Sequence, residues 1–233
     1  MTAPRTAPRP ADPTVAALRE HRIATAVLSD TLDGLGWRAQ AMVPGIRPLD
    51  GALDLVGRAR TGLYMPVYHV EPGINPYELE IRLIDDLKPD QVVVLACGDS
   101  GRDTQRIAPW GELLSTACLA RGATGCVTDG LVRDVRQIAE LRFPVFHGGI
   151  GPLDSKGRGR VMAIDVPIVC GGVRIRPNDV VVGDADGVVV IPVEVEADVL
   201  RLAIEKVSGE NATRDALRAG EPLAQVFARL GIL

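Results

Sequence analysis

Three polar residues in this chain have types and spacing that could do chemistry together: Glu112 and then, after a gap of twenty residues (Leu113 to Val132), Arg133 beside Asp134. A guanidinium is a planar fork matched to a carboxylate, and an aspartate supplies the hard oxygen that magnesium or manganese prefers, with waters and substrate oxygens completing the coordination. Trp110-Gly111-Glu112-Leu113-Leu114 reads as a helix start. The first amides of a helix lack intrahelical partners and its dipole favours negative charge, so a ligand carboxylate could rest on that backbone. An anion and a metal would both be served there. Plainer readings exist for each part alone: an ordinary helix start with an acid in its first turn, and a surface ion pair opening a helix from Asp134 to Leu141.

The elements that must position these residues follow from periodicity. Gly111 to Arg121 is expected to be helical, with Leu113, Leu114, Ala117 and Cys118 on one apolar stripe and Gly122 as its stop. A short buried strand, Ala123 to Thr128, comes next, and an Asp129-Gly130 turn then delivers Arg133 and Asp134 to the strand's carboxyl end, where parallel α/β units collect ligands. Upstream, Thr14 to Leu35 reads as helix, with Ser29-Asp30 restarting a second one. Leu55 to Val70 is strand-rich, Tyr77 to Leu87 is a crossover helix, and Gln91 to Cys97 is apolar enough for a strand buried on both faces. Strand and helix alternate through Phe146, the pattern of a parallel α/β layer.

Beyond that point the pattern changes. Val161 to Val169, Gly172 to Ile175, Asp179 to Val182 and Val188 to Pro192 are short, β-branched and separated by turn residues, so an antiparallel or barrel-like β layer is expected. A helix from Val193 to Val207 and a second helical stretch beyond Asn211 close the chain.

Composition narrows the function classes. With 233 residues, 46% of them hydrophobic, the chain can bury one sizeable core, and one compact domain over residues 14–233 is expected. The net charge of -4 comes from interspersed acids and bases without a basic run, which argues against nucleic acid as a ligand. Residues 1–13, with four prolines, lack the apolar centre of a secretory signal and read as a flexible tail. No stretch approaches a membrane span. The cysteines (Cys97, Cys118, Cys126, Cys170) form no CxxC pair and read as buried free thiols, consistent with a cytoplasmic location.

Other candidates carry less. Gly183-Asp-Ala-Asp-Gly187 lacks the remaining calcium-loop ligands and reads as a tight turn between strands. The glycine-rich stretch from Gly148 to Gly159 has neither a dinucleotide nor a P-loop signature and reads as a mobile loop, with Lys156, Arg158 and Arg160 available to steer an anion. His69 and His147 lie at strand ends, where packing or exposure is the expectation rather than ligation.

Taken in order, Trp110-Gly-Glu-Leu-Leu114, Gly125-Cys-Val-Thr-Asp-Gly130, Val132-Arg-Asp-Val135, Val169-Cys-Gly-Gly172 and Gly183-Asp-Ala-Asp-Gly-Val-Val-Val-Ile-Pro192 resemble the RraA-like family, which contains the 4-hydroxy-4-methyl-2-oxoglutarate aldolases and the regulator of ribonuclease E activity. The likeness runs from about Ser29 to Leu233. It implies the swivelling β/β/α fold, assembled as a homotrimer or a dimer of trimers with sites at subunit interfaces, and a divalent metal, Mg²⁺ or Mn²⁺. Carried over by position, the Gly111, Glu112, Leu113 and Leu114 backbone and Arg133 would hold a pyruvyl carboxylate, Asp134 would bind the metal, and Glu112 would order metal-bound water. One position departs: the aldolases usually carry an acid three residues after the aspartate, where this chain has Gln137. That bears on substrate and rate more than on the metal.

The implied activity is a metal-dependent retro-aldol cleavage of a 4-hydroxy-2-oxo acid to pyruvate, with oxaloacetate decarboxylation as a side reaction through the same enolate. The alternatives are a lyase for a different keto acid and a non-catalytic regulator that binds a ribonuclease. A pure binding module has no need of an acid, a guanidinium and a metal ligand at this spacing.

Overall fold

The computed structural model describes residues 12–97 and 106–232. The expected tail lies outside the described residues except for Asp12 and Pro13, and these two begin the first helix. Asp12 accepts a hydrogen bond from the Val15 amide at 3.1 Å and Pro13 takes the first helical position, so α1 (Pro13–His21) starts there and ends at left-handed Arg22. The next helix, α2 (Thr25–Gly34), restarts at Thr25 rather than at Ser29. Its cap is tertiary: Asp184 accepts from the Thr25 amide at 2.8 Å and from its hydroxyl at 2.7 Å.

One eight-stranded mixed sheet organises the molecule. After the two-residue β1 (Arg47–Pro48) comes the long β2 (Leu55–Pro66), then α3 (Glu78–Asp85), β3 (Gln91–Ala96), α4 (Glu112–Ala120), β4 (Gly125–Val132), α5 (Val135–Leu141) and β5 (Val145–Ile150). Strands β2 to β5 are mutually parallel in the order β5-β4-β3-β2, with β1 antiparallel on the outer side of β5. The parallel layer thus forms as the alternation of strand and helix predicts, and β3 is buried along nearly its whole length.

The later strands join the same sheet. β6 (Gly159–Ile164) runs antiparallel to the second half of β2, while β9 (Val180–Asp184) pairs with its first half and with β10 (Gly187–Ile191). Between them β7 (Ile168–Cys170) and β8 (Val173–Ile175) make a separate hairpin. The single strand expected from Val161 to Val169 is therefore two, because left-handed Asp165 and the following Pro167 turn the chain. The Gly183 to Gly187 turn is a turn, as expected, with Gly187 paired to Asp184. Gln40 to Pro48 spans from β10 to β5: the Met42 amide donates to Val188 at 2.9 Å, and Arg47 sits in register with His147. This nearly closes the sheet into a barrel.

Phe146, Leu55, Val94, Val127, Val181 and Val190 fill the barrel side. On the other face α3, α4 and α5 cover Val93, Leu95, Cys126, Val132 and Trp110. The C-terminal region is one 23-residue helix, α6 (Glu196–Arg218), followed by α7 (Leu223–Leu230), rather than a helix ending at Val207. Gly209 does not break α6; a Cβ there would stand 2.2 Å from Ile232, so the position serves the close return of the chain end. Arg58 ties the start of α1 to the start of α6, donating to Asp12 at 2.9 Å and 3.0 Å and also to Glu196. All four cysteines are buried free thiols. No described helix is long and apolar enough to cross a membrane.

Candidate active site

β4 carries the Arg-Asp pair, but not by the expected turn. Asp129 and Gly130 lie inside the strand, at an irregularity in its pairing with β5 between Thr128 and Leu131, and the strand continues to Val132. The bulge has a local cause. The Asp129 carboxylate turns to the ends of neighbouring strands, accepting from the Cys97 amide at 2.7 Å, and Gly130 leaves room for Pro109, whose Cδ would lie 2.8 Å from a Cβ at that position.

Trp110 then joins strand end to helix start. It bridges in parallel to Val132, and its carbonyl accepts from the Arg133 amide at 3.0 Å. Its indole N–H donates to Ser115 Oγ at 2.9 Å and its ring stacks on Phe143 at 6.2 Å, both deep in the core. The start of α4 is thereby fixed against the end of β4. At Gly111 a Cβ would lie 2.7 Å from Asp134 Oδ2 and 3.2 Å from Arg133 Nε, so only glycine admits the pair so close.

Asp134 itself has φ 57° and ψ 35°, a left-handed conformation aspartate tolerates better than most residues, and it opens α5. Its Oδ2 accepts from the Glu112 amide at 3.2 Å and lies 3.7 Å from Arg133 Nε. The protein's own carboxylate therefore takes one amide of the α4 start, leaving those of Leu113 and Leu114 without intrahelical partners. Arg133 also reaches Asp154 Oδ1 at 3.3 Å, and Asp154 accepts from the Tyr77 hydroxyl at 2.9 Å.

A cavity of about 280 Å³ opens beside these groups. Gly111, Leu113, Leu114, Arg133 and Asp134 all line it, and Tyr77, Glu80, Asp154 and Ser155 complete its polar wall. Glu112 is the expected residue that does not face it: its carboxylate turns along the helix to accept from Thr116 Oγ1 at 2.6 Å. Leu113 departs from the apolar stripe and is 77% exposed; the buried face of α4 is Gly111, Ser115 and Cys118, with Leu114 and Ala117 at its margin. The stretch from Gly148 is strand through Ile150, and Arg158 and Arg160 lie outside the cavity wall, with Arg158 donating to the Asp154 carbonyl at 3.1 Å. His147 is buried, and burial lowers its pKa; His69 is exposed.

The residues that sequence reasoning passes over are Tyr77, Glu80 and Asp154. Burial opposes ionisation of Asp154, yet the Tyr77 hydroxyl, Arg133 and the Ser155 and Lys156 amides outweigh it and hold its carboxyl below the usual carboxylate range. Tyr77 is pushed up to about 12, first by burial and then by donating to Asp154. Burial pushes Glu80 up to about 7. Only the Tyr77-x-x-Glu80 spacing, which puts both on one face near the start of α3, signals any of this in the sequence.

The donor set fits a loosely held hard cation. Among the described residues no three His, Cys, Asp or Glu side chains converge as a metal site. A half-exposed Asp134 carboxylate beside an open cavity is what magnesium uses when most of its ligands are waters and substrate oxygens.

Comparison with known proteins places these features in a family. Residues 25–190 match the RraA-like model, described as Aldolase/RraA. A Halalkalibacterium halodurans protein provisionally named 4-hydroxy-4-methyl-2-oxoglutarate aldolase is 38% identical over 196 residues, 84% of this chain and 85% of that one. A solved structure of an uncharacterized Pseudomonas syringae pv. tomato protein superposes with a TM-score of 0.79 at 30% identity, covering 95% of this chain and 99% of its own. Streptomyces coelicolor RraAS2, described as an unusual member of the RNase ES inhibitor RraA protein family, superposes with a TM-score of 0.74 at 28% identity over 90% of this chain and 99% of its own.

Proposed function

Since this chain belongs to the RraA-like family, we propose that it is a divalent-metal-dependent lyase that cleaves a 4-hydroxy-2-oxo acid to pyruvate and also decarboxylates oxaloacetate. One observation carries the reading: Arg133 and Asp134, at the carboxyl end of β4, are pressed against the start of α4 on the wall of a small cavity. A regulator that works by surface contact needs no such cavity.

Arg133 grips the substrate carboxylate and stays beside the charge that develops as the carbon-carbon bond breaks. The free Leu113 and Leu114 amides face the same anion. Asp154, with Tyr77 behind it, keeps the guanidinium in place. Glu112 takes up the C4 hydroxyl proton through a water, after leaving an exposed contact with Thr116 that a rotamer change breaks at little cost. Magnesium or manganese on Asp134 would supply Lewis-acid polarisation of the 2-oxo group. No lysine is required for a Schiff base.

The test is pyruvate release from a panel of 4-hydroxy-2-oxo acids and oxaloacetate, with magnesium, with EDTA, and with magnesium restored. Turnover that EDTA abolishes and magnesium restores is the expected result, and Asp134→Ala removes it without unfolding the chain. Turnover unchanged in excess chelator overturns the metal mechanism. The similarity to the Streptomyces RNase ES inhibitor relative favours a second reading, a regulator. It wins if no keto acid turns over and a ribonuclease binds tightly. A trimer or a dimer of trimers, at three or six times 24.8 kDa in light scattering, is expected under both readings and does not separate them.

A further inference from the structure

Glu80 is the acid of the cavity that the mechanism above leaves unused. It projects from α3, on the side of the cavity formed by that helix, is 7% exposed, and still lines the same 280 Å³ space as Arg133 and Asp134. The Tyr64 hydroxyl from β2, the Tyr77 hydroxyl at the start of α3, Arg133 from the end of β4 and Asp154 from the loop after β5 face it. Its neighbours have other commitments: Asp154 to Arg133 and Tyr77, and Tyr77 to Asp154.

We propose that Glu80 is a catalytic acid of this site, the group that delivers the proton to carbon 3 of the three-carbon enolate left after bond cleavage. The inference rests on the lyase reading and deepens it. When the C3–C4 bond breaks, its electron pair stays on C3, the C4 hydroxyl proton departs and C4 becomes a carbonyl. Glu80 then gives its proton to C3, completing the methyl group of pyruvate, and regains one from solvent.

Three features suit it to this step. The cavity is at the small end of ligand sites, so an enolate anchored on Arg133 has no room to drift from the α3 wall. Burial keeps the carboxyl protonated up to about pH 7, where the Asp154 carboxylate of the same wall is charged. A proton donor is most effective when its pKa lies near the working pH.

The test isolates the step. Pyruvate and magnesium are incubated with the enzyme in D₂O and deuterium entering the methyl group is followed by NMR, alongside pyruvate release from the best substrate of the panel. Exchange begins with Glu80 as base, so in the wild type its rate rises through about neutral pH, whereas pyruvate release, which needs the acid form, falls over the same range. Glu80→Gln is expected to slow exchange by about a hundred-fold or more and to flatten both limbs, and Glu80→Asp, which keeps the acid on a shorter arm, to recover part of the rate. Exchange in a folded Glu80→Gln protein equal to that of the wild type overturns the proposal. Should Glu80→Gln not fold, Glu80→Asp decides: an unshifted pH limb with an unchanged exchange rate overturns it equally. A wild type that releases no pyruvate and takes up no deuterium overturns the lyase reading itself, and this role with it.

Discussion

Gly111 and Asp134 stand so close that a single methyl group at position 111 would lie 2.7 Å from Asp134 Oδ2. Gly111 has φ near -155°, an extended conformation any residue adopts, so the glycine answers to space and not to backbone freedom. Gly111→Ala should therefore push the carboxylate and guanidinium away from the α4 start. Metal affinity, read by magnesium titration of activity, should weaken by roughly ten-fold or more, the effect typical of disturbing a metal ligand's surroundings. The thermal midpoint should fall only slightly. Unchanged magnesium dependence would remove the Gly111 approach from the site's requirements.

Arg133 spans two carboxylates, Asp154 at 3.3 Å and Asp134 at 3.7 Å, both half-exposed. Ion pairs that exposed contribute little stability, so the arrangement matters for orientation. Arg133→Lys keeps the charge and loses the fork; kcat/KM should drop on the order of ten- to a hundred-fold with the melting temperature nearly unchanged. Asp154→Asn should show a smaller loss, mostly in KM, because it loosens the guanidinium without removing it.

Glu80 links stability to pH. Its folded-state pKa is near 7 against an ordinary 4.5, so the native chain holds a proton that the unfolded chain releases, and stability declines as pH rises across that window. At about 1.4 kcal/mol per unit, the full effect is roughly 3 kcal/mol. Glu80→Gln cannot ionise. Measured by denaturant midpoints, it should gain on the wild type as pH rises from 4.5 through 7 and hold that gain above. A difference independent of pH would mean Glu80 titrates normally.

Gln137 lies three residues after Asp134, exposed on α5, at the position where the resemblance drawn from the sequence implies an acid. Gln137→Glu should raise turnover on 4-hydroxy-4-methyl-2-oxoglutarate if that substrate is the natural one. A measured kcat equal to that of the parent points to a different keto acid.

The sequence alone determined the parallel layer, since short continuous apolar runs such as Val92 to Ala96, alternating with helical stretches, read as strands covered on both faces. It also determined the family and the Arg133-Asp134 pair, because adjacent residues stay together in any fold. Helix limits were less legible: Thr25 starts α2 because Asp184, from a turn 159 residues away, caps it, and no local window contains that partner. A glycine misled in the same way: Gly130, read as part of a turn, sits within β4, where Pro109 comes close. Only the tertiary structure brought Tyr77, Glu80 and Asp154 to the Arg133 wall, since three segments separated along the chain meet there without a shared pattern. Burial is likewise a property of the packed whole, and it is burial that leaves Glu80 protonated near neutral pH while Asp154, paired with Tyr77 and Arg133, stays charged.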